Sequence, residues 1–480
     1  MKKLISFALL PLLAAFSAYA QNETRLERDF RVEGAALAKC FKFSAGNLID
    51  CGQTLVMGQP IHIAVGSLAP QNGVGAGFAF VEHKNFANEW RTSFNIDAQV
   101  TGNSSWRAGG YMKAYRLPRG TTYKVAPLFN IYSQSISLAR VDFYGLGPDS
   151  SPADHSTYGF SENITGIDAA LPLAGALRPA RIAIVAELNG RFPSIRPGDT
   201  ASLPSTTSLF DNAKAPGLTH QPAFLQASEG LRLDPGFFKN RIRLNYLLQL
   251  QQFVASNDSA SSFHRFNADF RHEIPLYSLL PAHLAKAYYP NRPSQFVNNG
   301  PDDCTGSNAD RNISHSAAAS AHPEPARPCP IVAATEKLEG SISFRIFLSE
   351  SFAAHASAVP FYFSPTLGGS DINGTAMLAS YPDYRFRGPD LLLMRGTFEH
   401  SLGKLPVGLL FSVDEGKVAL RRDDIGFDHL RHTLGAGFTL HAGGLPLVSF
   451  LFAWGGHEGT HTAATISPTL LGGSSRPSLF

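Results

Sequence analysis

The chain has 480 residues, and its 16% of charged residues falls below the roughly 25% usual in soluble domains, while Phe alone accounts for 35. With 41 basic residues against 38 acidic ones the formal charge is +3, a balance too even for a nucleic-acid surface. A shortage of charge without long apolar helices suggests side chains that face something apolar other than a protein core.

The first 20 residues, MKKLISFALLPLLAAFSAYA, read as a bacterial secretory signal peptide. Lys2 and Lys3 make the basic start, an apolar stretch follows over 4–16, and Ala18-Tyr19-Ala20 is the cleavage site. After Ala20 no uncharged apolar run reaches the roughly 18 to 20 residues of a helical span. The mature chain is then either soluble beyond the inner membrane or crosses a membrane as strands. Residues 21–72 read as a short N-terminal segment able to enter a barrel lumen as a plug. GVGAGF, 73–78, has the look of a phosphate loop, but it opens a strand and no helix follows it.

From residue 73 onward the dominant signal is alternation. Over 90–100, Trp90, Phe94, Ile96, Ala98 and Val100 share one face, and Arg91, Ser93, Asn95, Asp97 and Gln99 the other. The pattern recurs over 104–115, 263–273, 341–348 and 430–440. The strands run to about 10 to 13 residues, long enough to cross a bilayer at a tilt, where soluble strands average about 5 to 6. Small residues mix with large ones on the apolar face, which lipid tolerates and a packed core does not. The chain also ends in Phe480, an aromatic as is common for outer-membrane barrels. Closed strands are the non-helical way to satisfy backbone groups in lipid, so the fold class is all-β, a transmembrane antiparallel β-barrel. Counting predicts sixteen strands between 75 and 471, one of them at 353–364. Long interruptions at 274–337 and 365–389 are both expected on the external side. The gap at 193–219 does not fit that scheme.

Four Cys fit an oxidising compartment. They allow three pairings, of which Cys40 with Cys51 and Cys304 with Cys329 are favoured because each closes a short loop. The second would staple the loop 274–337. Near the end, AWGGHEGTH at 453–461 contains H-E-x-x-H, a zinc-protease signature when it lies on a helix. Gly455, Gly456 and Gly459 and the β-branched, aromatic flanks argue for a turn between strands. On a strand His457 and His461 would stand about 13 Å apart, too far for one zinc. Neither a G-x-S-x-G elbow nor a Walker motif is present, so no catalytic residues, metal or cofactor are expected.

The region 367–400, LGGSDINGTAMLASYPDYRFRGPDLLLMRGTFEH, followed by PVGLLFSVDEGKV at 406–418, carries a family resemblance. It resembles the bacterial surface antigen family, the sixteen-stranded barrel half of BamA- and TamA-like assembly proteins. In that family a G-G, an L-R-G-F or V-R-G-Y element and a Y-R-F-R form a long loop folded back into the lumen, and the next strand carries V-D-x-G-x-V. Gly368-Gly369, Tyr384-Arg385-Phe386-Arg387 and 413–418 with Asp414 match in order. Phe143-Tyr144-Gly145-Leu146-Gly147 with Asp149-Ser150 also resembles the family's F-F-G-x-G-x-D-S stretch.

The resemblance implies a lid loop at 365–389 and a lumen carboxylate at Asp414. It departs in two places. Where the family has L-R-G-F the chain reads Leu378-Ala379-Ser380-Tyr381, so the lid arginine that would pair with Asp414 is gone. Arg385 or Arg387 is the expected substitute through a bidentate contact, the alternative being a hydrated Asp414. Residues 21–72 are also too few for a periplasmic POTRA domain. The expected function is a non-enzymatic outer-membrane barrel acting in membrane-protein assembly or translocation or as a gated channel. A passive porin or small-molecule transporter is the alternative, and a zinc metalloprotease a distant third. Outer-membrane lipid is the expected partner, with other envelope proteins or client polypeptides implied by the resemblance.

Overall fold

The structure is a computed structural model, and it describes residues 24–38, 60–86, 90–116, 129–173, 182–198, 202–237, 242–276, 340–354, 357–402, 407–442, 445–455, 458 and 460–466. The expected signal peptide, all four Cys and His457 lie outside the described residues.

Among the described residues one helix precedes the sheet, α1 (Arg25–Ala38). Thr24 and Glu27 cap it reciprocally: the Glu27 amide donates to Thr24 Oγ1 at 3.3 Å, and the Thr24 amide to Glu27 Oε2 at 2.7 Å. Nearly everything else is strand. The elements are β1 (Ile61–Ser67), β2 (Val74–Phe86), β3 (Trp90–Thr101), β4 (Trp106–Arg116), β5 (Phe129–Phe143), β6 (Ser156–Pro172), β7 (Ile182–Pro197), β8 (Phe224–Leu233), β9 (Gly236–Phe237), β10 (Ile242–Ala255), β11 (Phe263–Pro275) and β12 (Gly340–Ala353). After a two-residue pair, β13 (Thr366–Leu367) and β14 (Phe386–Arg387), come β15 (Asp390–Ser401), β16 (Val407–Ala419), β17 (Arg431–Ala442), β18 (Leu445–Trp454) and β19 (Thr460–Ile466).

Among the described residues seventeen strands form one sheet whose ladders are all antiparallel, with β13 and β14 apart as a small hairpin inside the β12–β15 loop. β9 continues β8 along the same partner, β10, so the described residues form sixteen staves. The first and last strands, β1 and β19, lie side by side. No hydrogen-bonded ladder joins them among the described residues.

The two faces are inverted relative to a soluble sheet. On β3, Phe94, Ile96 and Val100 are exposed, and Ser93, Asn95, Asp97 and Gln99 are buried. On β16, Leu409, Phe411 and Val413 point out while Ser412 and Asp414 are buried. The buried polar groups bond across the wall: Tyr111 Oη donates to Gln134 at 2.8 Å, and Arg191 grips Glu162 at 2.8 and 3.0 Å. Such a chain needs an apolar solvent outside and a polar interior, which is the arrangement of a barrel that spans a membrane with its strands.

The stave count equals the predicted sixteen through two compensating errors. The ladder begins at Ile61 and not at 73, since β1 pairs with β2 residue for residue from Ile61↔Phe80 to Ser67↔Val74. Conversely, among the described residues of 353–364 no strand follows Ala353, where β12 ends, and Phe361–Phe363 forms a 3₁₀ turn that is wholly buried. Pro360 and Pro365 bracket that turn, and proline has no N–H to give a ladder. The correction moves the loops. With 353–364 removed, the connection from β11 to β12 leaves the wall at the end opposite the β12–β15 loop, so 274–337 and 365–389 are not on the same side. The troublesome 193–219 shares the end of the β12–β15 loop, where β7 continues to Pro197 and Ala215 and Leu218 pack beneath Phe361 and Tyr362.

Candidate functional site

The loop between β12 and β15 folds against the inner wall in two lobes. The first is aromatic. Phe361 lies 5.0 Å from Phe143 and 5.1 Å from Tyr158, and Phe363 5.0 Å from Phe224 and 5.3 Å from Phe253, as ring centroids. Arg265 donates to the Phe363 carbonyl at 2.6 Å.

The second lobe is the predicted lid. Its two ends meet as β13 and β14, and its middle doubles back through Gly368 and Gly369 at φ +105° and +59°. The turn requires glycine at Gly368, where a Cβ would stand 2.6 Å from Arg385 Cβ. Leu378 and Tyr384 are buried with φ +52° and +59°, a conformation that costs a side-chain-bearing residue of order 1 kcal/mol or more. The strain positions a donor: the Leu378 amide points at Asp414 Oδ2, 3.0 Å away.

Beneath the lid the alternation of the wall breaks. Leu391 and Leu393 of β15, Val418 of β16, and Leu451 and Ala453 of β18 are buried on the inner side. They pack against Leu367, Met377, Leu378, Ala379, Tyr381 and Phe386 of the lid. Ser380 completes the contact, its hydroxyl 2.6 Å from Thr433 Oγ1. Thus Leu378-Ala379-Ser380-Tyr381 occupies the wall next to Asp414 although its arginine and glycine are missing.

Asp414 is 1% exposed, and its partner is neither Arg385 nor Arg387. Arg395, directly opposite it on β15, forms the bidentate pair at 2.7 and 2.6 Å. The register also sets Arg271 opposite Arg345 and Arg345 opposite Arg395, a row of three guanidinium groups across β11, β12 and β15. Asp269 bridges the first two and Asp414 closes the row, which offsets the repulsion of like charges placed face to face. Sequence reasoning missed Arg395. The signal was the length of the hairpin: strands of 12 and 13 residues around the 402–406 connection bring 395 opposite 414.

The expected substitutes serve elsewhere. Arg385, 2% exposed at its side chain, holds Glu458 in a fork at 2.6 and 2.9 Å. It also donates to Ser150 Oγ at 2.8 Å and the Ser150 carbonyl at 2.6 Å. Arg387 is fully buried, donates to the Phe361 carbonyl at 3.0 Å, and lies about 6 Å from the rings of Phe143, Tyr158 and Phe361. Phe386 packs edge-on to Tyr381 at 5.2 Å and carries the Arg431 guanidinium at 4.1 Å. Asp383 accepts from the Ser370 amide at 2.9 Å and the Gln71 side-chain amide at 2.6 Å, while burial raises its carboxyl above the usual range. A cavity of about 560 Å³ opens beside the lid, lined among others by Lys417, Arg431, Tyr381 and Phe386.

Of H-E-x-x-H, Glu458 follows β18, which ends at Trp454, and His461 lies on β19, which begins at Thr460. Its Glu458 is the carboxylate gripped by Arg385, and His461 is exposed on β19. Among the described residues no three His, Cys, Asp or Glu side chains gather as a metal site.

The architecture defines the class: a sixteen-stave, lipid-facing β-barrel wall with one of its own loops packed against the lumen side. Solved structures of outer-membrane barrels are similar to it. CdiB from Acinetobacter baumannii is 9% identical with a TM-score of 0.43, the match covering 85% of this chain and 60% of that one. BamA from Haemophilus ducreyi lacking POTRA domains 1-3 is 11% identical with a TM-score of 0.45, covering 84% and 69%. CdiB from Escherichia coli is 11% identical with a TM-score of 0.46, covering 84% and 61%. The chain thus spans about 60% of the length of the CdiB chains it matches. No protein-family model and no curated protein matches the sequence.

Proposed function

We propose that this chain is an outer-membrane barrel of the surface antigen kind, related to BamA- and TamA-like proteins, and that it acts in polypeptide assembly or translocation as a channel gated by the loop 365–389. The observation that carries the reading is the docking of that loop on an apolar patch of an otherwise polar inner wall, with the Leu378 amide on Asp414 and Arg385 on Glu458. An open porin has no use for such a patch, because apolar side chains facing a wet lumen gain nothing until something covers them. In this reading Arg395 takes over the charge neutralisation that a lid arginine provides in the family, and the lid itself contributes a backbone amide. The lid can therefore leave without stranding a buried carboxylate, whose desolvation would otherwise oppose opening.

The test is single-channel conductance of the refolded, detergent-purified barrel beside a version lacking 365–389. The deletion is feasible, since Thr366 and Arg387 are paired neighbours. Conductance that appears on deletion supports the gated reading. Large steady conductance of the intact protein would overturn it and favour the passive porin.

A further inference from the structure

The lid touches more than the wall beneath it. Asp383 and Arg385, two residues apart, reach different hairpins: Asp383 takes a hydrogen bond from Gln71 in the β1–β2 turn, and Arg385 forks onto Glu458 in the β18–β19 turn. Those hairpins flank the place where the first and last strands lie together without a ladder among the described residues. Each anchor is itself well held. Next to Gln71, Asn72 is buried, donates to the Pro70 and Arg140 carbonyls and accepts from Ser105, which ties the β1–β2 turn to the β3–β4 turn and to β5. Arg385 is fixed by Ser150 and sits over the rings of Tyr144 and Phe386 at 5.1 and 4.6 Å.

We infer that the 382–386 segment of the lid is a clasp across the seam: Asp383 and Arg385 join the β1–β2 hairpin to the β18–β19 hairpin at this end of the barrel, so that lid departure and seam opening are one event. The inference rests on the barrel reading of the wall but not on any cargo, and it stands or falls separately from the conductance test. A clasp makes the two hairpins interdependent, whereas two unrelated contacts would each affect only their own side.

Hydrogen exchange of the full-length barrel in detergent, read by mass spectrometry on peptides from β1–β2 and from β18–β19, tests this. Glu458→Gln removes the charged fork from one side, and Gln71→Ala frees Asp383 on the other. The clasp requires each substitution to speed exchange in both hairpins, by about tenfold on its own side as expected for loss of a charge-assisted bond, and measurably across the seam. Asp414→Asn, which disturbs the lid at its far anchor, should raise exchange in both hairpins together. Acceleration confined to the substituted hairpin overturns the clasp. If Glu458→Gln does not fold, Arg385→Lys keeps the charge and loses the fork, and the same two-sided response is required of it.

Discussion

At the scale of single residues, Asp414 is a carboxylate answered from within its own sheet. Arg395 faces it across one ladder rung, and the row of Arg271, Arg345 and Arg395 would be left without its terminal acid if Asp414 were removed. Breaking a buried pair of this kind costs about 3 kcal/mol, because the remaining charge stays desolvated. Asp414→Ala should therefore lower unfolding stability in detergent by roughly that amount. A double-mutant cycle should find strong coupling between Asp414 and Arg395 and near-additivity between Asp414 and Arg385, which bonds to Glu458. Coupling of Asp414 to Arg385 alone would contradict the pairing described. The sequence placed Asp414 on the polar face of its strand correctly. It could not choose among Arg385, Arg387 and Arg395, because a carboxylate's partner is set by cross-strand register and loop path, neither of which alternation encodes.

At the scale of the element, the lid is a folded unit with its own turns. Gly368 carries φ +105° against the Arg385 side chain, so Gly368→Ala combines an unfavourable backbone with a clash and should cost about 2 kcal/mol. The expected result is faster proteolysis of the lid with the wall intact. Gly396→Ala on β15, whose Cβ would meet nothing within 4 Å, serves as the control that should change little. The family resemblance marked Gly368-Gly369 as a lid turn and Tyr384-Arg385-Phe386-Arg387 as a lid motif. The aromatic lobe was not legible: PFYFSP reads as one more apolar strand until its flanking prolines are weighed. The Leu-Leu-Leu run of 391–393 was also a signal, since three consecutive buried residues break the alternation where the lid docks.

At the scale of the whole molecule, the inverted faces make a prediction about insertion. Ile96 is 49% exposed on the outer face and Asn95 is buried on the inner one. Ile96→Lys should impair barrel folding into bilayers by roughly 2 to 4 kcal/mol if the position lies near the midplane. Asn95→Lys, on the polar lumen face, should be better tolerated. Refolding yields into lipid vesicles compare the two, and equal losses would count against the assignment of faces.

The sequence by itself determined the class of fold, because a period of two with long strands and few charges permits little other than a wall between lipid and a polar interior. It also argued against a helical H-E-x-x-H, since glycines and β-branched residues disfavour the helix that the motif needs. Only the tertiary structure decided that β1 opens the wall, that the β11–β12 and β12–β15 loops lie at opposite ends, that Arg395 answers Asp414, and that Asp383 and Arg385 meet hairpins from the two extremes of the chain. The physical reason is one of range. Alternation and turn propensity are local and survive in a linear reading, whereas register, closure and the path of a buried loop come from contacts hundreds of residues apart, as between Gln71 and Asp383.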